Sequence, residues 1–151
     1  MGYDFGILHA AHNFTPDPNG IIMIRTFAAL MLLATPAVAD EIWTLPAGKA
    51  VYEADIGETA IFSVPYEGGR ANMYIDGLGG NYRTRGFHEG YWMGHGAGTC
   101  SAQMIGPDGF QTDNWGRMHI IFDNPEGFTG WTAYFSNCFA EPTEELRAEP
   151  S

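Results

Sequence analysis

Downstream of residue 40, no stretch of this chain keeps a helical period long enough for an ordinary helix. Four segments instead alternate apolar and polar side chains one by one. A period of two is the mark of a strand with one buried face. In 59–66, Ala60, Phe62, Val64 and Tyr66 share a side. In 71–76, Ala71, Met73 and Ile75 stand opposite Asn72 and Asp76. In 99–105, Cys100, Ala102 and Met104 oppose Thr99, Ser101 and Gln103. In 117–123, Met118, Ile120 and Phe122 oppose Arg117, His119 and Asp123. Shorter candidates are 51–56, 90–93 and 130–138.

Turn chemistry separates these runs. Glu67-Gly68-Gly69 follows the first, Gly106-Pro107-Asp108-Gly109 the third, and Asp123-Asn124-Pro125-Glu126-Gly127 precedes the last. Glycine, proline and aspartate each supply a backbone geometry that a strand refuses. Short strands with glycine-rich turns predict an all-β domain, a small antiparallel β-sandwich or barrel. The two cysteines, Cys100 and Cys138, have no close-spaced thiol neighbour, so in an oxidising compartment they read as one disulfide. Cys100 falls on the apolar face of its run, which predicts a buried bridge.

The N-terminal part carries an export signal. From Met23, a basic residue (Arg25), an apolar run over 27–34 and the small-residue ending Ala37-Val38-Ala39 compose a signal peptide, 23–39, cleaved before Asp40. Residues 1–22 lie upstream of it, have no clear period and read as a non-native extension. The apolar run falls far short of the ~20 residues that span a bilayer, and no cysteine stands at the cleavage point. The expectation is a periplasmic or secreted protein without a stable membrane anchor. One β domain would cover 40–139. The segment 140–151, with Glu141, Glu144, Glu145 and Glu149 between Pro142 and Pro150, reads as a disordered acidic tail.

The formal net charge is -11. Such a field repels nucleic acid and draws basic partners. One expected partner is therefore a cationic protein, and a glycan ligand is the other expectation. The stretch 77–98 is glycine-rich and reads as the one long irregular segment. It holds Tyr82, Arg83, Arg85, His88, Tyr91, Trp92 and His95, with Trp115 beyond it. Tyrosine, tryptophan and arginine dominate binding hot spots, so these eight residues are the candidate binding face. The competing reading is that the aromatics fill the core.

Two chemical readings compete with simple binding. His88, Glu89 and His95 (with Met93) offer donors for zinc or copper, but in no standard spacing. Acid–base or nucleophilic catalysis would have to use His88, His95 or His119. No G-x-S-x-G elbow accompanies them. The expectation is a non-catalytic binding protein without cofactor, the alternative a small enzyme or metal-binding protein using His88, Glu89 and His95. The general profile of leader, small acidic β domain and single disulfide resembles the periplasmic lysozyme inhibitors of the membrane-bound and C-type-specific kind. The resemblance is architectural and carries over no residue; it implies inhibition of a basic hydrolase such as lysozyme.

Overall fold

A computed structural model describes residues 41–67, 69–80 and 85–151. The leader and the segment upstream of it lie outside the described residues. The strands are β1 (Ile42–Leu45), β2 (Gly48–Ile56), β3 (Thr59–Tyr66), β4 (Gly69–Asp76), β5 (Phe87–Gly94), β6 (Met104–Ile105), β7 (Gln111–Thr112), β8 (Trp115–Phe122), β9 (Trp131–Phe135) and β10 (Glu144–Pro150). Eight of them close into a barrel in the order β1-β10-β9-β8-β5-β4-β3-β2, and β6 and β7 form a separate hairpin. Every neighbouring pair in the barrel wall is antiparallel. The all-β antiparallel expectation is met, and the choice between sandwich and barrel falls to the barrel.

The alternation read from sequence sets which side chains point inward. Ala60, Phe62 and Val64 of β3, Ala71, Met73 and Ile75 of β4, and Met118, Ile120 and Phe122 of β8 all enter one buried cluster. Barrels of about eight strands have interiors just wide enough for side chains to fill. Trp43 joins this packing. Its ring stacks on Phe62 at 4.9 Å and meets Trp131 edge-on at 6.1 Å. Burying a side chain of this class contributes roughly 1.5–3 kcal/mol.

One end of the barrel is plugged. Trp43 donates its indole N–H to the Thr129 carbonyl at 2.7 Å, and Phe128 packs on its ring at 5.3 Å. Leu78 is buried in the same cluster. Arg85 stands over the Phe122 ring and is fully enclosed. Its guanidinium donates to both carboxylate oxygens of Glu41 at 2.6 Å and to the Gly127 carbonyl at 2.8 Å.

A second cluster lies on the outer side of the wall. Ile61, Tyr74, Met93 and Trp115 are covered there by Cys100, Met104 and Phe110 of the excursion between β5 and β8. The Trp115 indole donates to the Ala102 carbonyl at 2.8 Å, and the Tyr74 hydroxyl to Asp108 at 2.9 Å. The Cys100–Cys138 disulfide ties the excursion to the chain after β9. The disulfide fits an oxidising extracellular compartment. Among the described residues, no helix is long and apolar enough to cross a membrane.

Four expectations need correction. The run 99–105 is a strand only at Met104–Ile105, because its apolar side chains pack onto the wall from outside rather than joining it. For the same reason the disulfide is half-buried, not buried. The stretch 77–98 is not irregular throughout: 87–94 is β5, central to the wall. The acidic tail is not disordered: 144–150 is β10, paired with β9 through Glu144↔Phe135 to Ala148↔Trp131 and with β1 through Trp43↔Pro150 and Thr44↔Glu149. Its few apolar residues, Leu146 and Ala148, fall two apart and point inward, so average composition concealed a strand.

Candidate functional site

The residues singled out from sequence do not converge. Tyr82 and Arg83 lie outside the described residues. Arg85 is in the plug with Glu41. Trp115 (2% exposed) belongs to the outer cluster and Trp92 (5% exposed) to the inner one. Tyr91 stacks on Tyr74 at 5.0 Å on the outside of the wall. Its phenol is held above its ordinary pKa by burial first, then by the charges of Asp76 and Asp108. Most of the described aromatics of the set therefore pack within the protein instead of forming an exposed face.

The histidines are equally dispersed. His88 is the second residue of β5 and His95 follows its end, roughly 20 Å apart at strand spacing. The His88 ring bonds the Asp76 carbonyl at 3.0 Å, while His95 packs on Phe110 at 4.4 Å. Glu89, one residue on from His88, points to the other face of the sheet and lies 3.7 Å from His119. His88, Glu89 and His95 cannot share one ion. Among the described residues no group of three or more metal-type ligands gathers.

The barrel is open at the end opposite the plug. A cavity of about 410 Å³ lies there, lined by Val64, Pro65, Tyr66, Glu67, Ala71, Trp92, Phe135, Ser136, Asn137, Glu144, Glu145 and Leu146. Ligand pockets run from about 300 to 1,000 Å³, so the space suits one or two side chains or a small ligand. Each element contributes its end: β3 gives Tyr66, β5 Trp92, β9 Phe135 and β10 the two glutamates. Tyr66 and Trp92 meet at 4.9 Å between ring centres.

Two glycines make room for these rings. A Cβ on Gly116 would lie 1.8 Å from the Ser136 carbonyl oxygen and 2.6 Å from the Trp92 indole nitrogen. With hydrogen there instead, the Trp92 N–H reaches Ser136 O at 2.8 Å. A Cβ on Gly94 would lie 3.0 Å from the Tyr66 ring and 2.6 Å from the Asn114 amide. Tyr66 in turn donates to Asn114 at 3.3 Å. The aromatic floor is thus fixed by hydrogen bonds at both rings.

The rim is acidic. Glu67, Glu144 and Glu145 are exposed, and among the described residues no lysine, arginine or histidine lines the cavity. Among the described residues no cation pairs with any of the three. The other described arginines are engaged elsewhere: Arg70 on Ser63, Arg117 with Glu141, Arg147 with Asp123 and Glu149. Tyr66 registers the local field. Its phenol pKa is raised, first by burial and then by the charge of Glu67, with a smaller contribution from Glu144.

Glu67 also occupies an unusual backbone position. It opens the two-residue turn between Tyr66 and Gly69 with φ at 40°. Such turns favour asparagine or glycine there, because a Cβ is crowded at positive φ. The sequence signal for this site was therefore present at Tyr66-Glu67 and Glu144-Glu145, but only closure of the barrel brings those segments together. No family model matches the sequence, and comparison with curated proteins and with solved structures finds no match.

Proposed function

We propose that this is an exported, non-catalytic binding protein whose ligand seats in the open mouth of the barrel. The observation that carries the reading is the contrast between the two ends. One is filled by Trp43, Leu78 and the Arg85–Glu41 pair; the other leaves a pre-formed cavity floored by rings that hydrogen bonds hold in place. Rigid aromatics contribute contact area at low entropic cost on binding. The lining offers little for catalysis. It contains no histidine, and the hydroxyl of its serine, Ser136, donates to the Arg117 carbonyl at 3.2 Å.

Export rests on the leader and agrees with the disulfide. N-terminal sequencing of protein recovered from outside the cytoplasm should begin at Asp40; a retained, uncut chain would overturn export. Binding is tested by titrating the protein with a lysozyme, an acidic glycan and a neutral chito-oligosaccharide. The indole N–H resonance of Trp92, assigned with Trp92→Phe, is the reporter. At least one ligand should move it, and Trp92→Ala should remove that binding. Ligands that bind without touching this resonance would overturn the mouth as the site. Inhibition of a basic hydrolase is the second reading, favoured by the three rim carboxylates; it requires that lysozyme be the ligand that moves Trp92 and lose activity on doing so.

A further inference from the structure

We infer that the mouth receives a cationic side chain, lysine or arginine, presented by a basic protein; this rests on the mouth being the binding site. The argument is one of complementarity. The apolar floor of Val64, Leu146, Phe135, Tyr66 and Trp92 suits the methylene stem of such a side chain, which packs on apolar surface while its charged head stays near water. The head would then lie beside Glu67 and Glu144, with Glu145, on the outward face of β10, at the outer edge of the opening. Tryptophan and tyrosine faces attract ammonium and guanidinium groups through the ring quadrupole. An anionic ligand would meet three like charges and no compensating cation among the lining residues. A neutral sugar could stack on the rings but would leave the carboxylates without partners.

The rim holds its charge at a conformational cost. At φ 40° the turn position of Glu67 would suit asparagine or glycine better. A carboxylate there, with Glu144 delivered by β10 and Glu145 at the outer edge, concentrates negative potential at the opening. Carboxylates around a low-dielectric recess focus the field and steer a basic partner toward it.

The test separates this inference from the reading beneath it. The intact, disulfide-bonded protein is titrated with a deca-lysine peptide, with the same peptide acetylated at every Nε, and with the chito-oligosaccharide. Deca-lysine should shift the Trp92 indole resonance, and acetylation should weaken binding tenfold or more. Glu67→Gln/Glu144→Gln/Glu145→Gln should also weaken deca-lysine tenfold or more, at up to about fivefold for each exposed pair lost. Glu53→Gln/Glu58→Gln/Glu126→Gln removes the same charge from exposed positions away from the mouth and should change affinity less than twofold. Equal losses in the two triple variants would show attraction by the diffuse field and overturn the inference. Acetylated peptide or chito-oligosaccharide moving Trp92 while deca-lysine does not would also overturn it, yet leave the mouth as a binding site. Failure of every probe to move Trp92 would remove both. All six glutamates are exposed, so the variants should fold, and unchanged thermal midpoints verify that.

Discussion

Ala148→Asp is the sharpest test of how the barrel closes. Ala148 is fully buried on β10 opposite Trp131, and its carbonyl oxygen lies 2.8 Å from where a Cβ on Gly130 would stand. Its side chain points into the inner cluster, among apolar neighbours. Overpacking costs about 1–3 kcal/mol. An uncompensated buried charge costs about 3–5 kcal/mol. The two overlap, since the chain can relieve one by yielding to the other, and about 4 kcal/mol is the working figure. Domains of this size are stable by about 5–15 kcal/mol in all. With a urea slope of about 1–3 kcal/mol/M, the midpoint should fall by roughly 2 M. The deficit should also depend on pH. Burial raises the pKa of the new carboxyl above its unfolded value near 3.9, so the folded state holds the proton longer. The loss is then smallest below about pH 4 and grows as pH rises through the folded pKa. Ala140→Asp, at an exposed position outside any strand, should change stability by less than about 0.5 kcal/mol. Urea unfolding followed by tryptophan fluorescence at pH 3.5 and pH 7 measures both. A midpoint for Ala148→Asp within about 0.3 M of the parent would refute the placement of β10 in the wall.

Three further outcomes are expected. The Cys100–Cys138 bridge closes a separation of 38 residues and should contribute about 4 kcal/mol in the chain-entropy model; Cys100→Ser/Cys138→Ser should lose that in urea unfolding, and free thiols in denatured, unreduced protein would contradict the bridge. Tyr74 has its pKa pushed up to about 12, first by burial, with its bond to Asp108 adding to the rise. Its neutral form is favoured by folding, so the stability it provides is present below the unfolded value of about 10 and is lost as pH climbs toward 12. Tyr74→Phe should flatten the alkaline fall of the thermal midpoint, and an identical slope in both proteins would rule the residue out. Glu67→Gly should relieve the crowding at φ 40° and stabilise the turn by about 1 kcal/mol, while weakening binding of a cationic peptide; lower stability would count against strain at that turn.

How much was legible in the sequence can be judged from particular strands. The inward sets of β3, β4 and β8 could be read because every second residue is apolar there and the neighbours are polar. β1 and β10 escaped because each is short or charge-rich. β1 pairs locally with β2, but the closure that joins it to β10 spans most of the sequence, which no local window reports. The lining of the mouth was harder. Trp92 was singled out for its type and does floor the cavity, but Arg85 and Trp115 have the same surface-binding character and are buried. An arginine can be internal when a Glu41 waits for it 44 positions away, and a single sequence does not reveal such a partner. The mouth itself is assembled from the ends of five strands, so Glu67 and Glu144 come to the same Tyr66 only after closure.

The seam between β1 and β10 has a consequence for how the molecule is made. The Ser151 N–H donates to the Ile42 carbonyl at 3.0 Å, and Trp43 lies beside Pro150. A chain released from the N-terminus onward would have β1 ready early, with one side paired to β2 and the other vacant until β10 arrives. Any chain that stops before Glu144 leaves both β1 and β9 with unpaired N–H and C=O groups, a template for strand addition by a second copy. Truncation before Glu144 should therefore yield a species prone to self-association, where loss of a floppy tail would have been silent.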